Sequence, residues 1–72
     1  TAKEQKELET LPAKIETLEK EQIELAAKLA DPAFYKAQAA KFAEVKARLE
    51  TVEREHGTAF ARWEELEGRK DL

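Results

Sequence analysis

Two runs of residues, each advancing by alternate steps of three and four, dominate this 72-residue chain. The first is Leu8, Leu11, Ile15, Leu18, Gln22, Leu25 and Leu29, with Gln22 as its one polar member. The second is Phe42, Val45, Leu49, Val52, His56, Ala59, Trp63 and Leu66, interrupted only by His56. Steps of this kind gather on one stripe of an α-helix and scatter over both faces of a strand. The chain therefore reads as two long helices, each obliged to bury its stripe against something. Between them lies Ala30-Asp31-Pro32-Ala33-Phe34-Tyr35, where Asp31 can cap a helix and Pro32 can open a turn but cannot extend the one before it. A short connection makes the neighbours antiparallel. The predicted fold is all-α: an antiparallel two-stranded intramolecular coiled coil, an α-hairpin occupying residues 1–72 as a single domain. Its corner is expected to be short and 3₁₀-like near residues 31–35, with the second helix starting near residue 36 in the helix-forming stretch Lys36-Ala37-Gln38-Ala39-Ala40-Lys41. Pro12 predicts a kink or a late helix start, and Gly57 a local softening of about 1 kcal/mol.

In an antiparallel pair, facing core residues have a nearly constant sum of residue numbers. The heptads permit sums of 67 and 74. A sum of 74 sets Glu21 beside Glu55 and Lys14 beside Arg62. A sum of 67 stacks Leu25 on Phe42, Leu18 on Leu49 and Ile15 on Val52, and flanks them with Glu7 and Arg62, Lys14 and Glu55, Glu21 and Arg48, and Glu19 and Lys46. Those flanks attract, so 67 is the expected register. Four acid and base pairs at i,i+4 are further expected on single helices, at Glu16 and Lys20, Glu24 and Lys28, Glu44 and Arg48, and Glu50 and Arg54.

The chain opens at Thr1 without a Met, which points to a piece cut from something longer. It contains no Cys and no Ser and a single His, so disulfides, cysteine zinc sites and serine or cysteine nucleophiles are excluded. Its carboxylates alternate with bases on solvated faces, and it has no Gly-rich phosphate loop. Neither catalysis nor a cofactor or metal is expected of it. No apolar run approaches the roughly 18 residues of a membrane span. A monomeric, cytoplasmic domain with no membrane partner is the expectation. Gln22 and His56 read as polar seam positions that fix alignment, and Trp63 as a packing residue that could alternatively stack on a base.

Charge is unevenly placed. Residues 26–48 carry five bases, Lys28, Lys36, Lys41, Lys46 and Arg48, against two acids, Asp31 and Glu44, for a net +3. The remainder carries −6, giving the overall −3. The corner end is thus basic and the open end acidic. In the 67 register Lys28 falls beside Lys41, an uncompensated basic pair of the kind that phosphate groups attract. Lys28, Lys36 and Lys41 are the expected principal phosphate contacts, with Lys46 and Arg48 as partly neutralised helpers. Phe34 and Tyr35 sit at the same corner, where an aromatic can plug the turn or stack on a base.

With these motifs laid out, the chain resembles the C-terminal domain of the Uup-type ABC-F ATPases, proteins with two ATP-binding cassettes. The resemblance is carried by Lys3-Glu4-Gln5-Lys6-Glu7-Leu8, by Leu11-Pro12 with Ile15, Leu18 and Glu19, by Leu29 and the Asp31-Pro32-Ala33-Phe34-Tyr35 corner, and by Phe60-Ala61-Arg62-Trp63-Glu64-Glu65-Leu66-Glu67. It implies a coiled coil attached after the second cassette that contributes to binding DNA or structured RNA. The acidity of the chain as a whole makes the expected binding weak, and its phosphate contacts make it salt-dependent. The resemblance also implies the ribosome and the rest of the parent ATPase as further partners, and places ATP hydrolysis in cassettes that this chain lacks. The alternative is a protein-interaction or spacer module. Ile23, outward-facing beside Ala26, Ala27 and Ala30, would support it.

Overall fold

In the computed structural model, which describes residues 1–70, three helices follow one another: α1 (Ala2–Leu29), α2 (Pro32–Ala37) and α3 (Ala39–Lys70). The two long helices lie antiparallel along most of their length and form a rod of 53 × 15 × 14 Å. The all-α hairpin expected from the heptads is the fold of the chain.

α1 begins at Ala2. Thr1 is its N-cap, with Oγ1 accepting from the Glu4 amide at 3.1 Å, and the Glu4 side chain answers back in a capping box. Pro12 therefore does not delay the helix, which runs through it. The corner is more regular than expected. Asp31 caps α2, its carboxylate accepting from the Ala33 amide at 3.0 Å, and Pro32 occupies the first turn. The first turn mixes a 3₁₀-type bond, Phe34 N–H to the Asp31 carbonyl at 3.1 Å, with a longer α-type bond from Tyr35 at 3.4 Å. A full α-type bond from the Gln38 amide to the Phe34 carbonyl at 2.9 Å then completes the turn. The connection is thus a short α-helix, and the long second helix starts at Ala39. One residue makes the break. Gln38 has φ −143° and ψ 60°, and its carbonyl accepts from the Phe42 amide as α3 begins.

Among the described residues the core is a narrow line of seven buried side chains: Leu11, Ile15, Leu18, Leu25, Val52, Ala59 and Leu66. Leu11, Leu18 and Leu25 recur every seven on α1, and Val52, Ala59 and Leu66 every seven on α3. Leu8, Val45, Leu49 and Trp63 are only partly buried against them. Gln22 and His56 are likewise half-buried.

The pairs of the 67 alignment are kept on one flank and changed on the other. On one flank the expected pairs form, Glu7 with Arg62 and Glu21 with Arg48, and Lys14 and Glu55 line one groove. The numbers of these partners sum to 69. On the other flank Glu19 bonds His56 rather than Lys46, a sum of 75, beside a groove lined by Pro12, Ile15, Phe60 and Trp63. Small Val52 and Ala59 sit at the centre of the interface, where close approach needs small side chains, and the bulkier Leu49, His56 and Trp63 move to its margins.

Of the expected i,i+4 pairs, Glu16 and Lys20 meet at 3.2 Å. Arg48 turns away from Glu44 and reaches across to Glu21. Lys28 and Arg54 make no ion pair among the described residues, because exposed pairs of this kind gain too little to hold two long side chains still.

Gly57 lies within α3, and a Cβ added there would meet nothing within 4 Å. Gly57→Ala is expected to raise stability by about 1 kcal/mol through helix propensity alone. A thermal melt showing no gain would mean that the helix is already frayed at this point in solution.

Candidate nucleic-acid interface

The corner end of the rod is assembled by α2, the last turn of α1 and the first turns of α3. Phe42 anchors it. The Tyr35 ring meets the Phe42 ring edge-on at a centroid distance of 4.9 Å, and the Phe34 ring lies 6.5 Å away at 41°. Phe34 is half-buried and acts as the plug under the turn, whereas Tyr35 remains 56% exposed. The two aromatic readings of the corner thus fall on different residues.

Around this plug the expected cations are all exposed, namely Lys28, Lys36, Lys41, Lys46 and Arg48. They differ in commitment. Arg48 makes a bidentate contact to Glu21, through Nε at 2.7 Å and Nη2 at 3.1 Å. This hydrogen bonding raises the Arg48 pKa and holds the Glu21 carboxyl below its ordinary value of 4.5, with partial desolvation opposing. Lys28, Lys36, Lys41 and Lys46 have no carboxylate within ion-pair distance among the described residues. One heptad on from Glu21 and Arg48 stand Lys28 and Lys41, both basic and both exposed. Of the two acids of this end, Asp31 is engaged as the α2 cap.

Further down the shaft, Arg62 and Arg69 are matched to carboxylates, while Arg54 is not among the described residues. Arg62 contacts Glu7 through Nε at 2.7 Å and Glu65 through Nη1 at 3.3 Å, and Arg69 bridges Glu4 and Glu65. The Arg62 hydrogen bonds hold the Glu7 carboxyl below 4.5, against a smaller opposing effect of desolvation. Because Glu7 and Glu21 are depressed in the folded chain, their stabilisation is complete above pH 4.5 and is lost as pH falls through their folded-state values. The melting temperature is therefore expected to fall as the pH is lowered below about 4.5. A Glu7→Gln, Glu21→Gln double variant should melt lower at neutral pH and show a shallower acid slope. An unchanged slope would place the acid sensitivity elsewhere.

The heptad seam leaves out Phe60. It lies next to a seam residue rather than in the seam, yet its ring stacks on His56 at 6.3 Å and tilts against Trp63 at 5.9 Å. Among the described residues no cluster of His, Asp and Glu could hold a metal ion, and no helix is long and apolar enough to cross a membrane.

A hairpin with this corner, these heptads and these matched flanks defines an all-α coiled-coil domain. The chain belongs to the ABC transporter C-terminal domain family, which it matches over residues 1–68. It is 51% identical over 71 residues to two proteins of Haemophilus influenzae, one named ATP-binding protein Uup-like and the other ATP-binding protein Uup. The alignment covers 97% of this chain but only 15% and 11% of those proteins. The Uup-type C-terminal domain that the residue motifs resemble is thus the domain the chain represents. No solved structure matches it significantly.

Proposed function

We propose that this hairpin is a nucleic-acid-contacting arm of a larger two-cassette ATP-binding protein, and that it grips phosphates with its basic corner. The supporting observation is where the unpaired cations sit. Among the described residues Lys28, Lys36, Lys41 and Lys46 are exposed and unpaired in the stretch that carries +3, whereas the other unpaired bases, Lys3, Lys6, Lys14 and Arg54, lie in the part that carries −6, and Arg48, Arg62 and Arg69 are held by carboxylates. An unpaired lysine loses little on meeting a phosphate and releases condensed counterions from the nucleic acid, whereas a paired arginine must first give up its partner. Exposed Tyr35, braced edge-on by Phe42, adds a ring on which a base can stack. Chemistry on ATP belongs to the cassettes, and the arm supplies contact and placement.

The test is a salt titration of binding to branched DNA, duplex DNA and RNA. About three phosphate contacts give a log–log slope of roughly −2 to −3 and an affinity no tighter than about micromolar. A flat salt response would favour the protein-interaction reading, for which Ile23, 71% exposed on α1, is the specific support.

A further inference from the structure

The hairpin has two unlike sides. One is laced by the Glu7–Arg62 and Glu21–Arg48 pairs. The other, toward the open end, carries a groove of about 230 Å³ walled by Pro12, Ile15, Phe60 and Trp63 and edged by Glu16 and Glu19. Phe60 is 42% exposed and stands outside the line of buried core residues, so the fold does not require an aromatic there. Its ring and that of Trp63 nonetheless lie 5.9 Å apart beside two carboxylates. Aromatic faces attract cations, and they do so most strongly where a carboxylate shares the site. The groove is smaller than the roughly 300–1,000 Å³ of pockets that take drug-sized ligands, and is the size for one or two side chains.

We propose that this groove docks a basic segment of a partner protein, seating an arginine or lysine against the Phe60 and Trp63 rings and the Glu16 and Glu19 carboxylates. Charge complementarity identifies the occupant. The groove lies in the part of the chain that carries −6, and its walls are apolar, so the fitting partner is a cation flanked by aliphatic residues. The existing engagements do not close the site. Glu16 shares an exposed i,i+4 contact with Lys20 that an incoming cation can replace, and Glu19 uses one oxygen on His56 Nε2 at 3.0 Å and keeps the other available. A nucleic acid fits this side poorly, since its phosphates would meet the acidic half of the rod.

Trp63 is the only tryptophan and reports on the groove directly. The probe is an acetylated and amidated peptide of sequence Ala-Leu-Arg-Leu-Ala, titrated into the intact chain while indole fluorescence is followed. A saturable change with a dissociation constant on the order of 0.1–1 mM is expected. Phe60→Ala should weaken binding roughly two- to fivefold, and Glu16→Lys, which leaves the core untouched, by at least as much. Lys36→Glu, at the corner, should have no effect. Circular dichroism establishes that each variant is folded, and Glu16→Lys decides the matter if Phe60→Ala is not. The proposal fails if the Arg→Ala or Arg→Glu peptide binds equally well, if neither groove variant weakens binding, or if no saturable change occurs. It also fails if duplex DNA produces the same signal with the same dependence on Phe60, which would make the groove a base-stacking surface.

Discussion

Leu18→Ala is expected to leave the chain largely unfolded at physiological temperature. Leu18 lies near the middle of α1 and is 6% exposed, within a core of only seven residues. Truncating a buried leucine costs about 2–5 kcal/mol, including the cavity left behind. A chain of this length commands roughly 4–10 kcal/mol in total, and a thin rod with so little buried apolar surface belongs at the lower end. The companion change tests how closely the helices approach each other. Ala59 is 4% exposed at the centre of the interface. Ala59→Leu, which adds apolar bulk to a heptad position and would look favourable from pattern alone, should cost about 1–3 kcal/mol by forcing the helices apart. The same replacement at exposed Ala47 should be close to neutral. Thermal melts followed at the helical circular dichroism band measure all three. A stabilising Ala59→Leu would mean that the helices do not approach closely there.

Reversing Lys36 and Lys41 together to Glu should reduce nucleic-acid affinity at least tenfold and flatten its salt dependence, while leaving helicity intact. Two reversals move the charge of residues 26–48 from +3 to −1. Both side chains are exposed and unpaired, so nothing in the fold depends on their sign. Two phosphate contacts are lost and two repulsions gained, and the log–log slope should shrink by about two. Lys3→Glu with Lys6→Glu, at the far end, is the control and should change affinity little. If the control pair carries the effect instead, the open end is the contact surface and the corner is not.

What could be read from residues was the part governed by local rules. Heptad spacing settles that two helices form and which stripe each buries, and Asp31-Pro32 settles where the chain turns, because a cap and a missing amide act on their immediate neighbours. The uneven charge was equally legible, since it is a property of composition along the chain. The break at Gln38 was not. Lys36-Ala37-Gln38-Ala39-Ala40-Lys41 favours helix at every position, and the interruption coincides with Phe34 and Tyr35 folding back onto Phe42. No propensity records a contact between rings that the turn itself brings together.

Pairing across the hairpin divides along the same line. Opposite charges on the flanks foretold Glu7 with Arg62 and Glu21 with Arg48, yet not that Glu19 would bond His56 or that Phe60 would join Trp63 at the surface. The two sequence-derived registers differ by a whole heptad, and the pairs that form on the Glu7–Arg62 flank are those of the 67 alignment. Amphipathic pattern determines which faces meet, because burial counts apolar area on each helix separately. How far one helix slides along the other is decided by side-chain volume at the contact, where Val52 and Ala59 permit close approach and Trp63 does not, and volume acts only when both helices are present.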